Sequence, residues 1–170
     1  FACFNGDIVS SLDAGQLLDL HQKKSATATL GLWTVEDPTR FGIVGLDDEQ
    51  FITQFKEKPK PEEVFSNYIN AGSYIMNDEI FDYMPLGKHS LERDVFPRLA
   101  EEQKLCGLPF EGYFIDAGTP ESWIDAVDAC IDHKRYSTGQ VQASTWYESE
   151  VLEGQISGGM VGSNCSIDQS

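Results

Sequence analysis

The stretch FITQFKEKP, residues 51–59, governs how the rest of the chain is interpreted. Its alternating apolar residues indicate a strand, and Pro59 ends that strand because proline has no N–H to give to a sheet ladder. An acid and a base, Glu57 and Lys58, therefore stand where a strand gives way to a loop, which is the usual place for functional side chains. A solvated charge pair at the end of a strand is the plainer interpretation, and residues elsewhere in the chain must decide between the two.

The composition limits the classes of partner. The sequence has 170 residues and a formal net charge of −16, from 28 acidic and 12 basic residues. Such a chain has no basic stripe to neutralise the phosphates of a nucleic acid, so we expect neither a nucleic-acid partner nor an anionic membrane. The negative net charge is compatible with a small phosphorylated ligand, because such a ligand needs only one or two cations or a metal ion.

The sequence also allows predictions about the cellular location of the protein and the redox state of its cysteines. No apolar run approaches 18 residues and no leader is visible, so we expect no membrane-spanning helix. The chain opens at Phe1 directly on an apolar run, which we interpret as the start of a fragment. The cysteines show neither the spacing of a disulfide framework nor that of a metal site, so we expect reduced cysteines in a cytoplasmic protein. The histidines show no metal-binding spacing either. These residues are Cys3, Cys106, Cys130, Cys165, His21, His89 and His133, the histidines all in polar contexts.

A strand, a helix and a strand follow one another at the start of the chain. The run FACF at 1–4 is typical of a buried parallel strand followed by a turn. Asp13 is placed to cap a helix running to about Lys24, and residues 26–35 indicate a second strand. This βαβ order predicts an α/β fold, in which ligands bind at the carboxyl ends of the strands. Asp7 follows the first strand at such an end.

Strands and helices continue along the chain. Residues 41–46 and 51–55 predict a hairpin with a polar turn. A strand over 68–76 is interrupted by Gly72, and a glycine inside a strand often marks a bulge or the close approach of a ligand. Two helices are predicted next, one at 78–84 capped by Asn77 and one at 91–104 capped by Ser90. Strands are predicted at 105–110 and 113–115. A last helix begins at Thr119-Pro120, runs to about Lys134 and carries Trp123 on its apolar face.

The chain changes in composition beyond residue 136. Residues 137–150 are rich in small polar residues and predict a linker. In 151–170, Val161 and Ile167 lie six apart, and each is followed by a small or turn-forming residue, which is the period of a hexapeptide β-helix. A loop with two chance aliphatic residues explains the same pattern, so both interpretations stay open at this point.

Two aspartates follow predicted strands in the same way. Asp7 comes after the first strand, and Asp116 comes after residues 113–115. If both strands end at one edge of one sheet, the two carboxylates can face one another. A carboxylate pair, with substrate phosphate oxygens and water, is how proteins usually hold Mg²⁺. A turn or capping role is the alternative for each aspartate, above all for Asp116, which lies three residues before Thr119.

Four further positions suit a sugar phosphate beside such a metal ion. Lys58 is a compact cation suited to a phosphate, and Glu57 is an acceptor suited to sugar hydroxyls. Asn70 offers both a donor and an acceptor, and Gly42 would let a ligand approach a backbone N–H. No nucleophile–base pair, dinucleotide-binding glycine motif or P-loop is visible, so acyl transfer and glycosidic chemistry have little support.

Six pieces of the sequence carry a family resemblance. They are FNGD (4–7), RFGIV (40–44), FKEKP (55–59), INAGSYI (69–75), SLERDVFP (90–97) and FIDAGTPESW (114–123). In this order they resemble the sugar-1-phosphate nucleotidyltransferases. FKEKP, INAG and SLERDVFP look most like the mannose-1-phosphate guanylyltransferases, whose chains often continue into a left-handed β-helix.

The resemblance implies a fold for the whole chain. Residues 1–136 would be the C-terminal, sugar- and metal-binding part of a Rossmann-like nucleotidyltransferase domain, with a mixed sheet flanked by helices. Residues 151–170 would start a left-handed β-helix after the linker. The family's glycine-rich triphosphate-binding loop has no counterpart in this sequence. We therefore expect that this chain alone does not transfer nucleotides.

The resemblance also implies roles for individual residues. Asp7 and Asp116 would hold a catalytic Mg²⁺, and Lys58 would bind the phosphate of the sugar, where it takes part in catalysis. The residues that would contact the sugar itself are Gly42, Glu57 and Asn70. The sugar 1-phosphate would attack the α-phosphorus of a nucleoside triphosphate, and pyrophosphate would leave.

The resemblance favours one pair of substrates and leaves others open. GTP and mannose 1-phosphate, giving GDP-mannose, are the favoured pair. The alternatives are a transferase specific for glucose 1-phosphate with dTTP or UTP, a non-catalytic regulatory or scaffold relative of the same fold, and a hexapeptide acyltransferase. A homo-oligomer is compatible with each of them.

Overall fold

The computed structural model describes residues 1–131 and four short strands beyond them. The elements, in chain order, are β1 (Ala2–Phe4), β2 (Ile8–Ser10), α1 (Ala14–Lys24), β3 (Ala28–Thr34), β4 (Gly42–Leu46), β5 (Ile52–Glu57), β6 (Tyr68–Met76), α2 (Ile80–Tyr83), α3 (Phe96–Glu101), β7 (Leu105–Pro109), β8 (Phe114–Asp116), α4 (Pro120–Ile131), β9 (Thr145–Tyr147), β10 (Val151–Glu153), β11 (Gly159–Val161) and β12 (Ile167–Asp168). A 3₁₀ turn, Pro61–Glu63, precedes β6, and a π-helical turn, Leu91–Val95, precedes α3.

The chain forms two compact units. The larger unit consists of Phe1–Gly6 and Leu12–Glu111, and the smaller one consists of Asp7–Ser11 and Gly112–Ser170. Apart from β9, the linker predicted at 137–150 lies outside the described residues.

A mixed sheet forms the centre of the larger unit, as predicted. Its strand order is β5-β4-β6-β3-β7, and β1 also pairs with β6. β7 runs parallel to β3, whereas β4, β5, β6 and β1 pair in antiparallel fashion. Helix α1 packs against β3, and α3 packs against β5. Apolar side chains of the sheet and of α3 then share one buried core.

β1 differs from its prediction. Ala2 pairs with Ile75 of β6 in antiparallel fashion, and Phe1 and Phe4 expose 57% and 54% of their surface. β1 and β3 do run in the same direction, because both are antiparallel to β6, but β6 lies between them. The prediction of a buried parallel strand at 1–4 was therefore wrong. An apolar run indicates a strand without specifying its neighbour or its burial.

The predicted hairpin is confirmed, with one extension. β4 and β5 pair in antiparallel fashion, and Gly42 lies opposite Glu57. β5 continues two residues past the predicted end at Phe55, so Glu57 is its last residue. Lys58 then follows the strand, and the buried Pro59 follows Lys58. The sequence thus places the acid and the base at the strand end, as expected.

The helix predicted at 91–104 is divided into two parts. The segment Leu91–Val95 forms a π-helical turn, and α3 follows it. Proline lacks an N–H and its ring clashes with the preceding turn of an α-helix, so it is tolerated only near a helix start. Pro97 lies in the first turn of α3, and the wider π-helical turn before α3 accommodates the proline there.

The smaller unit contains an antiparallel ribbon followed by a helix. Strand β2 pairs with β8, and Ile8 lies opposite Asp116. The Thr119 side chain accepts a hydrogen bond from the Ser122 N–H at 3.2 Å, which confirms its predicted cap of α4. Trp123 exposes 61% of its surface, contrary to its predicted place on an apolar face.

The tail contains two parallel strand pairs, β9 with β11 and β10 with β12. The residues between these strands lie outside the described part of the chain, so the β-helix stays a prediction. In the described ranges, no helix is long and apolar enough to cross a membrane.

The cysteines in the described part of the chain are not in disulfides, and their reduced state stays a prediction. They are Cys3, Cys106 and Cys130, while Cys165 lies outside the described residues. Cys106 is buried within β7 of the sheet, and its burial raises the pKa of the thiol to about 11. Because the thiolate is the reactive form, Cys106 is a structural residue.

His21 of α1 belongs to a buried polar network. The sequence placed the histidines in scattered polar contexts and did not indicate that His21 would be buried. Its ring is 5% exposed and lies between Thr29 and Asn77. Asn77 Nδ2 donates to the Ala26 carbonyl at 2.9 Å, so Asn77 Oδ1 is the acceptor that faces His21 Nε2 at 3.0 Å. His21 Nε2 therefore carries the proton, and Nδ1 accepts from the Thr29 hydroxyl at 2.9 Å. Asn77, which was expected to cap the next helix, instead ties α1 to the end of β6.

Replacing His21 with leucine is expected to lower the free energy of unfolding by about 1–3 kcal/mol, because the fully buried Thr29 hydroxyl loses its partner. Urea unfolding followed by circular dichroism measures the change. Gln22→Leu, on the exposed face of the same helix, is the matched control and should change the free energy of unfolding much less. Equal effects of the two substitutions would contradict a stabilising role for the network.

Candidate functional site

The end of β5 holds a strained lysine beside a half-buried glutamate. Lys58 has a φ of 47°, in the left-handed region, and its N–H donates to the Phe41 carbonyl at 2.9 Å. For a residue with a Cβ, a conformation of this kind costs on the order of 1–3 kcal/mol. Ser25, Gln50 and Gln103 also adopt a positive φ. The Lys58 side chain is exposed, and within the described residues it forms no ion pair.

Gly42 provides space for the side chains of β5. A Cβ at this position would lie 2.8 Å from Glu57 Oε2 and 2.7 Å from Phe55 Cζ. The absence of a side chain at Gly42 therefore lets the Glu57 carboxylate lie against the backbone of β4. The predicted approach of a ligand to the Gly42 N–H stays a prediction.

Asn70 lies next to Gly42 in the sheet. Ile43 pairs with Ile69, which makes Gly42 and Asn70 the following pair along β4 and β6. Asn70 Nδ2 donates to the Tyr74 hydroxyl at 2.9 Å, and Asn70 Oδ1 accepts from the Gly72 N–H at 3.1 Å. These bonds fix the orientation of the amide.

The break in β6 at Gly72 is a bulge, one of its two predicted interpretations. Leu30 and Leu32 of β3 pair with Tyr74 and Asn70, so β6 accommodates extra residues at this point. Gly72 has a φ of 65°, and a Cβ there would lie 2.6 Å from Asn5 Nδ2. The close approach at Gly72 thus comes from the protein's own chain. The bulge turns the backbone of β6 so that Asn70 can bond the hydroxyl of Tyr74.

Glu92, which the sequence analysis did not single out, belongs to the same unit as Glu57. The Ser90 hydroxyl donates to Glu92 Oε2 at 2.8 Å, and the side chain of Glu92 is half-buried. Burial, followed by the negative charge of Glu92, raises the pKa of Glu57. The cations of Lys58 and Arg93 act on Glu57 in the opposite direction. The only signal in the sequence was the motif SLERDVFP, whose individual side chains could not be placed without the π-helical turn.

Asp7 and Asp116 come together in the smaller unit. The Asp7 carbonyl accepts a hydrogen bond from the Ala117 N–H at 2.8 Å, and Ile8 lies opposite Asp116. A Cβ on Gly118 would lie 3.1 Å from Asp116 Oδ1, so this carboxylate lies over the following turn. Asp7 is exposed and Asp116 is half-buried.

The donor set of these two aspartates fits a metal ion that is completed by its substrate. In the described part of the chain, no group of three or more acids, histidines or cysteines could hold a metal ion by itself. Two aspartates on paired backbone segments suit Mg²⁺, which keeps several waters and binds substrate phosphates. A capping role for Asp116 has no support among the described residues, since Thr119 provides the cap of α4. A turn role stays open, because the Asp116 carboxylate lies over the following turn.

Comparison with solved structures places the fold among the sugar-1-phosphate nucleotidyltransferases. The chain is similar to the apo form of a UDP-glucose pyrophosphorylase, with a TM-score of 0.66 and 25% sequence identity. The likeness covers 79% of this chain and 55% of that one.

Sequence comparison identifies the family. The model of the nucleotidyl transferase family matches residues 1–133, and the chain therefore belongs to this family. It is 40% identical over 124 residues to the mannose-1-phosphate guanylyltransferase of Mycobacterium tuberculosis, covering 71% of this chain and 34% of that protein. It is 35% identical over 125 residues to the mannose-1-phosphate guanyltransferase of Yarrowia lipolytica, covering 73% and 34%. The chain thus spans about a third of the length of these two relatives.

Gly42→Ala is expected to lower the free energy of unfolding by about 1–3 kcal/mol, because the new methyl group would overlap Phe55 and Glu57. The chemical shifts of the Glu57 carboxylate should change with it. Gly6→Ala is the control, since a Cβ there meets nothing within 4 Å. Unchanged stability and an unchanged Glu57 signal in Gly42→Ala would show that the site does not depend on this close contact.

Proposed function

We propose that this chain provides the sugar-binding and metal-binding part of a mannose-1-phosphate guanylyltransferase. The enzyme would join GTP and mannose 1-phosphate to give GDP-mannose and pyrophosphate. Membership of the nucleotidyl transferase family and the names of the two relatives support the substrates. The observation that carries the proposal is the strained backbone of Lys58, which follows a glutamate whose pKa is raised.

Each residue at the end of β5 has a distinct role in the proposed reaction. The ammonium group of Lys58 binds the phosphate of the sugar and offsets its charge as it attacks. The Glu57 carboxylate accepts hydrogen bonds from sugar hydroxyls. The fixed amide of Asn70 donates its second N–H to the sugar. These contacts orient the sugar phosphate, and positioning contributes much of the rate enhancement in reactions of this class.

The chemical step exchanges one P–O bond for another. An ionised oxygen of the sugar 1-phosphate forms a bond to the α-phosphorus of the triphosphate, and the bond from that phosphorus to the bridging oxygen of pyrophosphate breaks. No general base is needed, because the attacking phosphate carries no proton to remove. Asp7 and Asp116 would hold Mg²⁺, which offsets the negative charge on the phosphates when it is bound.

A glucose-1-phosphate transferase is the second candidate. The likeness to a UDP-glucose pyrophosphorylase is the observation that favours it. Both candidates use the same end of β5 and the same aspartates. They differ in the sugar, so direct binding of the two sugar phosphates separates them.

Calorimetric titration of the chain with mannose 1-phosphate and glucose 1-phosphate, with and without Mg²⁺, tests the proposed ligand. We expect tighter binding of mannose 1-phosphate. Lys58→Asn should weaken this binding by about tenfold or more, because a charge-assisted hydrogen bond to the phosphate is lost. Asparagine tolerates the left-handed backbone and so keeps the local structure. Lys88→Met, at an exposed loop lysine, should bind as the parent does.

Two results of that titration would contradict the proposal. Tighter binding of glucose 1-phosphate would favour the second candidate. No binding of either sugar phosphate would favour a non-catalytic relative that keeps the fold without the site.

Asp116→Asn is expected to abolish pyrophosphate release in the protein extended to the length of its relatives, because the metal would lose one of its two carboxylates. Pyrophosphate is measured with GTP, mannose 1-phosphate and Mg²⁺. The present chain by itself should release none. Near-parental turnover in Asp116→Asn would remove this residue from the metal site.

A further inference from the structure

The carboxylates of Glu57 and Glu92 belong to segments that are far apart in the sequence but packed together. The π-helical turn Leu91–Val95 contacts β5, whose last residue is Glu57. Within this turn Val95 is fully buried and Leu91 packs against the core, so its apolar residues hold it to the sheet. Glu92 stays half-buried with its carboxylate oriented by the Ser90 hydroxyl. Its orientation is therefore set before any ligand binds.

Phe96 fixes this turn relative to the sugar-binding strands. The Phe96 N–H donates to the Leu91 carbonyl and closes the turn. The ring of Phe96 lies 5.5 Å from the ring of Phe55 in an edge-on contact and 5.5 Å from the ring of Tyr74. Phe55 is two residues before Glu57, and Tyr74 is held by Asn70. Glu92 is thus positioned by the same contact that positions the other residues of the candidate sugar site.

The negative charge of Glu92 disfavours the ionised form of Glu57. Two like charges in a partly dehydrated place repel one another, and this repulsion contributes to the raised pKa of Glu57. The negative charges of Glu57 and Glu92 also act on the buried phenol of Tyr74, whose pKa is raised mainly by burial. Among the described residues the pair does not belong to a metal-binding cluster. Hydroxyl groups of a ligand would relieve the repulsion by donating to both carboxylates.

We propose that Glu92 is a second acceptor for the sugar hydroxyls and that it determines, together with Glu57, which sugar epimer the site prefers. The inference rests on the proposed function, because it needs a sugar phosphate at the end of β5. Two carboxylates held in fixed positions accept hydroxyl hydrogens only from matching directions. An epimer with one hydroxyl inverted leaves one acceptor buried against the ligand without a donor, and an unpaired acceptor of this kind discriminates strongly.

Glu92→Gln is the first test, because it keeps the shape of the side chain and removes the charge. The chain and this variant are titrated with mannose 1-phosphate, glucose 1-phosphate, galactose 1-phosphate and orthophosphate. We expect affinity for the preferred sugar to fall about tenfold, and the ratio between epimers to move toward one. Affinity for orthophosphate should stay unchanged, since Lys58 binds the phosphate. Glu101→Gln, on the exposed end of α3, should change none of these values.

The pH dependence of sugar binding tests whether the charge of Glu92 acts on Glu57 in the site, and the ratio between epimers tests whether Glu92 contacts the sugar. The bound sugar favours ionised Glu57, so affinity is complete above the raised pKa of Glu57 and is lost as the pH falls through it. The charged groups that act on Glu57 are Glu92, which raises its pKa, and Lys58 and Arg93, which lower it. In Glu92→Gln the pKa of Glu57 should fall, so the loss of affinity should move to lower pH.

Ser90→Ala is the second variant and is used if Glu92→Gln does not fold. The Ser90 side chain makes no capping bond to the backbone of the turn, so its removal releases only the Glu92 carboxylate. The same change in the ratio between epimers is expected, with a smaller amplitude.

The outcomes separate this inference from the proposed function. An unchanged ratio between epimers in both variants, with tight binding of mannose 1-phosphate by the parent chain, would overturn the role of Glu92 and leave the proposed function standing. A parent chain that binds none of the sugar phosphates would overturn both. An equal loss for all sugars and for orthophosphate would show that Glu92 supports the fold of the site and does not select the sugar.

Discussion

The contact of Phe96 with Phe55 and Tyr74 is the constraint on which the candidate sugar site depends. It joins three segments that are distant in the sequence: the hairpin that ends at Glu57, the bulged strand β6, and the turn that carries Glu92. Aromatic pairs in such geometries contribute about 0.5–1.5 kcal/mol beyond the burial of their area. Because the ring is fully buried, a shift of any one segment would leave a cavity under the other two. The core therefore fixes the segments that carry Glu57, Asn70 and Glu92, while Lys58 follows the end of β5.

Features that depend on a few neighbouring residues could be predicted from the sequence. The hairpin that carries Glu57 and Lys58 follows from its alternation, and Pro59 marks the strand end. The caps at Asp13 and Thr119 follow from the chemistry of their side chains, and both accept the expected backbone hydrogen bonds. The family could be identified for a related reason, because its motifs are short and occur in a set order.

Features that depend on distant residues could not be predicted in this way. The apolar run at 1–4 shows that a strand is favourable, but its antiparallel pairing with β6 is decided by residues that follow much later in the chain. His21 has a polar neighbourhood in the sequence, and only the packing of α1 places it between Thr29 and Asn77. The sequence did not single out Glu92, because its position also depends on distant residues. Its position depends on a π-helical turn and on a ring contact with two strands that the motif itself does not reveal.

The backbone of Lys58 separates a functional explanation of the strand end from a structural one. A glycine or an asparagine would adopt the left-handed conformation at lower cost. The neighbouring Lys56 has an ordinary backbone and an ion pair with Glu63 at 2.8 Å, whereas Lys58 has a positive φ and no ion pair within the described residues. A surface charge pair would therefore explain Lys56. It does not account for the strained backbone of Lys58. In the proposed function, a phosphate group bound by the exposed ammonium would be the partner of Lys58, and Glu57 and Glu92 would accept hydrogen bonds from the sugar.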